Sequence, residues 1–406
     1  LVTHINSKER CPMNISIHHS ETICNSLKKN NLYEILSESE RKYIPSILLA
    51  MLSSDYQGKT LNFEQYSDYH RTSISRFLRS EKWNEMPLSC GIRRETVTRI
   101  YKESRKSRKP VLCIVDDTIV SKALPSSKAE HPIESAYFHY SHLKRKADYG
   151  HQAVCVLLSC NGITLPYVIT LYDKSVSRIE IVKQIAQELP VPPHMSYLLC
   201  DSWYTSGTLI EAFAAKGFYT IGALKTNRCI YPYGKKMNVR DFAEKLRETE
   251  CRELFHPVTV KGRNFLVYRY EGNLNSIENA VVLLTYPADA FGKEKALRAF
   301  ISTNVSLSDA EILAFYVLRW EIEVFFRTVK NRFAFEKCQI RSARAVQRVW
   351  ILLELAYLLA CFSSDNCLFL SGISTILHEI QKEQYSYLYD VAVSSKDQST
   401  FLALAC

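Results

Sequence analysis

The spacing of hydrophobic positions changes along the chain. Up to about residue 105 apolar residues recur at helical intervals, as they do over residues 39–52 and 94–106. After Pro110 short continuous apolar runs replace this pattern, and residues 111–115 and 197–200 are typical of strands buried on both faces. The first part of the chain is therefore predicted to be helical, and the part that follows is predicted to contain a buried sheet.

Helices and strands alternate in the middle of the chain. Residues 152–159 and 163–172 predict a hairpin around Asn161-Gly162. The later segments follow in order: a helix at 177–189, a strand at 197–200, a helix at 206–216, a strand at 219–224, alternating strands within 227–298, and long helices at 308–331 and 343–362. This order predicts an α/β fold with a mixed sheet, helical crossovers and a β-rich insertion.

The composition is that of an ordinary globular protein. The 406 residues are 47% hydrophobic and include only 12 Gly and 13 Pro, which argues against collagen-like and largely disordered chains. The longest apolar run, residues 349–362, is shorter than a membrane span and contains Glu354. We therefore expect no membrane association.

The positive charge is concentrated in one stretch. The formal net charge is +10, and residues 68–109 hold twelve Lys or Arg against five Asp or Glu. Residues 61–69 and a short helix around Phe77 fit a helix-turn-helix, with Arg76 and Arg79 on its exposed side. This pattern favours binding of a nucleic-acid backbone. The alternative is a helical bundle with ordinary surface charge.

Two carboxylates follow buried strands. Asp117 and Asp201 lie at the carboxyl ends of the predicted strands 111–115 and 197–200, the edge where open α/β sheets bind ligands. Carboxylates held there suit a divalent cation, although a turn or helix-capping role is the alternative for each one. Because neighbouring residues of a strand point in opposite directions, only one of Asp116 and Asp117 is expected in the site.

A third carboxylate lies on the later helix 308–331. With helical spacing, Tyr316, Arg319, Glu323 and Lys330 share one face beside an apolar stripe. The alternative is a surface helix with an ordinary Arg–Glu pair.

These residues together resemble a known family. The spacing of Tyr316, Arg319, Glu323 and Lys330 resembles the Tyr-Arg-Glu-Lys signature of bacterial insertion-sequence transposases of the DDE type, in the insertion-sequence-four group. The sequence Val-Asp-Asp-Thr around Asp117 and Leu-Cys-Asp-Ser around Asp201 resemble the family's first two catalytic motifs. The resemblance covers about residues 105–365.

The resemblance implies a fold and its division. It implies a ribonuclease H-like core formed by residues 106–228 and 299–365, interrupted by a β-rich insertion at 229–298. A helical, basic DNA-binding domain at 1–105 precedes this core, and a C-terminal tail at 366–406 follows it.

The resemblance also implies a chemistry. Asp117, Asp201 and Glu323 would hold two Mg²⁺ or Mn²⁺ ions for cleavage at the ends of a DNA element and transfer of the 3′-OH into target DNA. Tyr316, Arg319 and Lys330 would contact DNA phosphates.

Three further cations lie near the predicted strand ends. Lys122, Lys225 and Arg228 are placed to reach the cut strand, with ordinary surface charge as the alternative. The expected partners are double-stranded DNA, as terminal inverted repeats and target, and a second copy of the chain in the DNA complex. The expected location is the bacterial cytoplasm, at the nucleoid.

Two other functions remain open from the sequence. One is a DNA-binding protein without catalysis, either a decayed transposase or a repressor. The other is a metal-dependent nuclease that cuts DNA without joining it.

Overall fold

A twelve-stranded mixed sheet runs through the computed structural model, which describes residues 17, 20–128, 132–141, 145–248, 251–275, 277–395 and 397–399. The strand order is β2-β3-β1-β5-β6-β12-β11-β10-β7-β8, with β4 paired to β3 and β9 to β10. The strands are β1 Leu112–Ser121, β2 Tyr137–Ser141, β3 Lys146–Cys160, β4 Ile163–Tyr172, β5 Ser196–Cys200, β6 Phe218–Leu224, β7 Cys229–Ile230, β8 Met237–Asn238, β9 His256–Val260, β10 Arg263–Leu274, β11 Ile277–Pro287 and β12 Arg298–Ser302.

The central strand β1 joins two halves of this sheet. It runs antiparallel to β3 and parallel to β5, and β5 runs parallel to β6. The β3–β4 hairpin turns at Asn161 and Gly162, whose φ angles of 51° and 84° are the two positive values that a type I′ turn requires. The predicted α/β class and hairpin are confirmed, and the sheet is consistent with a ribonuclease H-like core.

Helices cover the sheet and form an N-terminal bundle. They are α1 Glu21–Lys29, α2 Glu38–Leu52, α3 Thr60–Gln65, α4 Arg71–Arg79, α5 Met86–Ser107, α6 Arg178–Glu188, α7 Gly207–Ala214, α8 Val239–Glu248, α9 Asp309–Val317, α10 Glu321–Arg332, α11 Ala343–Phe362 and α12 Phe369–Ser394. Side-chain hydrogen bonds fix the residue at which several of these helices begin. Ser37 and Glu40 form a reciprocal capping box at α2, and the Ser177 hydroxyl accepts from the Glu180 backbone N–H at α6.

The apolar helix α11 forms the centre of the helical layer. By length and hydropathy it is the one helix among the described residues that meets the criteria for a membrane span, yet 94% of that segment is buried inside the protein. It packs against β4, α2 and α12. Its apolar character is therefore that of a core helix.

The N-terminal helices share their hydrophobic core with the rest of the chain. The buried side chains of α2 and α4 belong to the same cluster as those of β1 and α11. Arg348, 2% exposed, donates from its guanidinium to the carbonyl of Leu78 in the last turn of α4, to that of Ser80 just after it, and to the carboxylate of Glu85. Helices of the predicted N-terminal domain, residues 1–105, thus pack directly on α11, and the division of the chain into domains stays a prediction.

The β-rich insertion extends the core sheet. Its last two strands return beside the core, because β12 pairs with β6 on one side and with β11 on the other. A second hydrophobic cluster, which includes Phe242, Tyr270 and Tyr286, fills the insertion. The insertion is thus joined to the core through continuous backbone hydrogen bonding.

The C-terminal segment predicted as a tail contains a long helix. α12 packs on α11, and the carboxylate of Glu383 accepts from the Ser20 and Thr22 hydroxyls at the start of α1. Residues 369–394 therefore connect the two ends of the described chain.

Candidate active site

The site begins where β5 ends and β1 continues. β1 pairs with β5 only as far as Val115, opposite Cys200, and then runs on to Ser121 beside β3. The strand predicted to end before Asp116 therefore carries both Asp116 and Asp117 past the end of its neighbour. Asp201 follows β5 at the same edge. Asp117 and Asp201 thus lie close to the same edge, although β1 itself does not end there.

A cleft of about 900 Å³ opens at this edge. Asp116, Asp117 and Asp201 all line it, together with Arg178, Trp203 and Lys225. The two adjacent aspartates both reach the cleft although their side chains point in opposite directions, because the β5 side of β1 is open beyond Val115. That only one of them belongs to the metal site stays a prediction.

Asp117 is held by three donors from three elements. Its Oδ1 accepts from Gln152 Nε2 on β3 at 2.7 Å, and its Oδ2 accepts from the Tyr204 hydroxyl at 2.9 Å and from the Arg178 guanidinium at the start of α6. Tyr204 is fully buried, and burial, followed by the negative charge of Asp117, raises the pKa of its hydroxyl. Both oxygens of Asp117 are thus fixed in direction.

Asp116 faces the other side, toward α10. Its Oδ2 accepts from Arg319 NH1 at 2.8 Å, and Arg319 NH2 donates to Glu323 Oε1 at 2.7 Å. Burial raises the pKa of Asp116 to about 7, Arg319 opposes the rise, and the charges of Asp201 and Asp117 add to it. One guanidinium therefore connects the aspartate of β1 with the glutamate of α10.

Asp201 is oriented by the turn that follows it. Its Oδ1 accepts from the backbone N–H groups of Trp203 at 2.9 Å and Tyr204 at 3.3 Å. Burial raises the pKa of the Asp201 carboxyl, these two N–H groups lower it, and the charge of Asp117 raises it. Asp201 is therefore a half-buried carboxylate that lies close to a second one.

The helix that carries Glu323 differs from its prediction. Residues 308–331 were predicted as one helix, but α9 ends at Val317 and residues 318–320 form a 3₁₀ turn before α10. The backbone angles at Val317 and Glu321 remain right-handed helical, so the chain tightens without leaving the helical path. This is why Arg319 and Glu323 still meet as the spacing predicts.

The other residues of the predicted signature divide between two cavities. Lys330 lines the cleft and pairs with Glu336 at 2.9 Å. Tyr316 lines a neighbouring cavity of about 560 Å³, where its ring packs against Phe300 and lies 5.8 Å from the Arg319 guanidinium carbon. Burial raises the pKa of Tyr316. Arg319 therefore contacts one residue of each cavity, Asp116 of the cleft and Tyr316 of the neighbouring cavity.

The other predicted DNA contacts have different surroundings. Lys122 Nζ donates to the carbonyls of Glu336 at 3.2 Å and Cys338 at 2.6 Å, and burial lowers its pKa. Lys225 lines the cleft, whereas Arg228 donates to the carbonyl of Thr205 at 2.8 Å. Lys122 and Arg228 thus already serve to hold loops.

Arg76 and Arg79 lie on α4 as the spacing predicts. Both are exposed, while Ile74, Phe77 and Leu78 of the same helix are buried. The helix pairs with α3, and Phe77 stacks on Trp83. The predicted amphipathic helix is confirmed, and its cationic side faces solvent.

The donor set fits a divalent cation in its chemistry. Asp116, Asp117 and Asp201 are buried or half-buried carboxylates, and the pKa values of Asp116 and Asp201 are raised in part by the charges of their neighbours, a repulsion that a cation relieves. Within the described residues no three metal-ligating side chains converge on one point. Arginines contact Asp116, Asp117 and Glu323 in this arrangement.

Several residues of the site have no strong signal in the sequence. Arg178 is an ordinary first-turn residue of α6, and nothing in the sequence around Tyr204 distinguishes it from the other aromatic residues. Gln152 had a weak signal, because it is a polar residue that begins an otherwise apolar run in β3. Only the packing of three elements around Asp117 identifies them.

Comparison with known protein families gives one match. The family described as "Transposase DDE domain" matches residues 107–359, a segment that covers more than half of the chain and contains Asp116, Asp117, Asp201 and Glu323. A comparison with curated proteins finds none that matches the chain.

Proposed function

The chain belongs to the transposase DDE domain family, and we propose that it moves an insertion sequence of the insertion-sequence-four-like group. It would cut DNA at the ends of the element and transfer the resulting 3′-OH into target DNA. The observation that carries this proposal is that Asp117, where β1 has passed the end of β5, and Asp201, directly after β5, line one cleft, with Glu323 linked to Asp116 through Arg319.

Transposases of this family generally depend on divalent metal ions. We assign Asp117, Asp201 and Glu323 as the ligands of two Mg²⁺ or Mn²⁺ ions, with Asp116 as a fourth carboxylate beside them. Bound there, such ions activate the attacking hydroxyl and stabilise the leaving oxygen of an in-line phosphodiester displacement. Arg319 contacts Glu323 and Asp116, so its charge balances these carboxylates, and it would contact phosphate once ions held them.

The same residues prepare the site for DNA. Gln152, Arg178 and Tyr204 fix both oxygens of Asp117, so the direction of this carboxylate is set before substrate arrives. Lys330 provides positive charge in the cleft and Arg319 provides it beside Asp116, where phosphate oxygens would approach.

Other contacts complete the proposed DNA path. Tyr316 would donate a hydrogen bond from its hydroxyl to a phosphate, and Lys225 would add positive charge at the rim of the cleft. Arg76 and Arg79 would bind backbone phosphates at the N-terminal bundle, since α4 presents both to solvent. Lys122 and Arg228 would support the loops of the cleft while adding to its positive potential.

Two copies of the chain are proposed to act together. Transposition joins two element ends, so two active sites must be paired on one DNA complex. The ribonuclease H-like core supplies one such site per chain, and a homodimer is the smallest assembly that brings both ends together.

The test uses the DNA that flanks the gene. Labelled terminal inverted repeats, a plasmid target and Mg²⁺ are incubated with the full-length protein, and both cleaved and joined products are measured on a gel. We expect both products. Binding without cleavage would identify a repressor or a decayed transposase, and cleavage without joining would identify a nuclease. Either outcome would overturn the proposal.

A further inference from the structure

Trp203 occupies an unusual position for its residue type. It lines the cleft two residues after Asp201, and its backbone N–H donates to Asp201 Oδ1 at 2.9 Å. Trp203 and Trp320 are each 51% exposed, whereas Trp83 and Trp350 are 4% and 1% exposed, and of these four residues Trp203 is the one that lines the cleft. A large aromatic surface is thus left open to solvent beside a predicted metal-ligating carboxylate.

Two cations lie against this ring. The Arg178 guanidinium carbon is 4.4 Å from the ring centroid, and Lys225 Nζ is 4.9 Å from it. Both cations line the same cleft. Contacts of this kind hold a cation close to an aromatic ring. Aromatic surface and positive charge therefore occur together at one part of the rim.

This combination selects a class of ligand. Proteins that bind single-stranded nucleic acid place cations along the phosphates and aromatic rings against the bases. A cleft of about 900 Å³ lies within the range of about 300–1,000 Å³ found for sites that enclose one small molecule. It is therefore large enough to hold a nucleotide of one strand.

We propose that Trp203 is the stacking platform for one unpaired base of the DNA strand that enters the cleft, with Arg178 and Lys225 beside the flanking phosphates. This inference rests on the proposed function, since it makes DNA the occupant of the cleft. Stacking fixes the nucleotide relative to Asp201 through the rigid turn that joins the two residues. Trp203 is thereby a positioning residue for the strand to be cut.

The competing role for Trp203 is to hold the two cations in place. The two roles differ in what they need from the ligand, because stacking requires a base whereas positioning of Arg178 and Lys225 requires only phosphates. Binding of two DNA strands of equal charge, one with bases and one without, therefore distinguishes the two roles of Trp203.

The experiment measures binding of two fluorescent 12-nucleotide strands by anisotropy in EDTA, one of oligothymidine and one made entirely of abasic units. The wild-type full-length protein, Trp203→Ala and Trp203→Phe are compared. We expect Trp203→Ala to weaken oligothymidine binding roughly tenfold and to leave binding of the abasic strand within about twofold. Trp203→Phe retains a ring and should stay within about threefold of wild type on both strands.

Tyr389→Ala provides the matched control, because it removes another aromatic ring that is 69% exposed and lies outside the cleft lining. It should bind both strands as wild type does. Thermal unfolding of each variant checks that it is folded.

Three results would overturn the inference: no binding of oligothymidine by wild type, no loss in Trp203→Ala, or an equal loss on both strands. The last result would assign Trp203 to the positioning of the cations. The outcome is independent of cleavage: base-dependent binding by a protein that cuts no terminal repeat would defeat only the proposed transposition, and cleavage by wild type with base-independent binding would defeat only the stacking role.

Discussion

The two sides of the cleft hold their carboxylates in different ways. On one side Asp117 accepts from Gln152, Arg178 and Tyr204, which come from β3, from the start of α6 and from the turn after β5. On the other side a single guanidinium, that of Arg319, serves both Asp116 and Glu323. The first side is fixed by many contacts of different origin, and the second depends on one residue.

The two arrangements differ in how firmly they hold a carboxylate. We call the surroundings of Asp117 the fixed side of the site and those of Asp116 and Glu323 the adjustable side. Asp117 has a side chain only 17% exposed, and its partners are themselves buried or half-buried, so its direction is determined by the fold. Glu323 is 35% exposed and its ion pair joins neighbouring turns of one helical segment. The fold therefore provides a fixed carboxylate on β1 and a more accessible one on α10, and each can be tested separately.

The largest effect is expected from the carboxylates themselves. Asp117→Asn, Asp201→Asn and Glu323→Gln each remove a charge that the metal ions need, and each should reduce both cleavage and joining by roughly 10³-fold or more. The repeat-cleavage assay measures this loss, and a gel shift should show unchanged DNA binding. Asp289→Asn, at an exposed position of the insertion, serves as the control. Full activity of Glu323→Gln would contradict the assignment of the adjustable side.

The fixed side should respond next most strongly, to loss of Arg178. Arg178→Ala leaves Asp117 with two neutral donors, and loss of such an orienting partner typically costs about 10- to 100-fold in activity or metal affinity. Cleavage rates over a Mn²⁺ titration measure both quantities. Arg344→Ala, which breaks an exposed ion pair with Glu81, should have no effect. A loss no larger than that of the control would show that Gln152 and Tyr204 suffice.

A smaller effect is expected from a conservative change on the adjustable side. In Arg319→Lys a single ammonium replaces the planar fork that reaches Asp116 and Glu323 together. We expect cleavage to fall about tenfold, in line with the weaker end of such supporting contacts. Arg327→Lys, an exposed arginine of the same helix, is the matched control. Equal rates for the two variants would mean that the bridge is dispensable.

The smallest effect is expected in the pH dependence of stability. The pKa of Asp116 is about 7 in the folded protein, above its ordinary value of 3.8. The folded state therefore keeps a proton that the unfolded state has lost, and the free energy of unfolding should fall as pH rises from about 4 to about 7. Between pH 5 and pH 7 we expect a fall of roughly 2 kcal/mol from this group.

Urea unfolding in EDTA at several pH values measures this effect. Asp116→Asn should flatten the dependence over that range, and Asp289→Asn should follow wild type. An unchanged slope in Asp116→Asn would assign the dependence to other groups.

Local patterns predicted most of the elements and part of the site. The apolar run before Asp116, the Asn161-Gly162 turn and the apolar face of α4 each depend on neighbouring residues, and each was correctly predicted. The opening that lets both Asp116 and Asp117 line the cleft had no such local signal, because the exposure of β1 beyond Val115 depends on where a separate strand ends. The 3₁₀ turn at residues 318–320 was likewise absent from the predicted helix.

The sequence by itself determined the order of the carboxylates, the identity of the strands that carry two of them, and the Arg319–Glu323 spacing, since these follow from periodicity over a few residues. Only the tertiary structure decided what surrounds them. Arg178, Tyr204 and Gln152 meet at Asp117, and Trp203 meets two cations, although these residues are distributed over several elements. The physical reason is that such contacts depend on how the sheet and helices pack, and packing brings together residues whose spacing along the chain carries no common period.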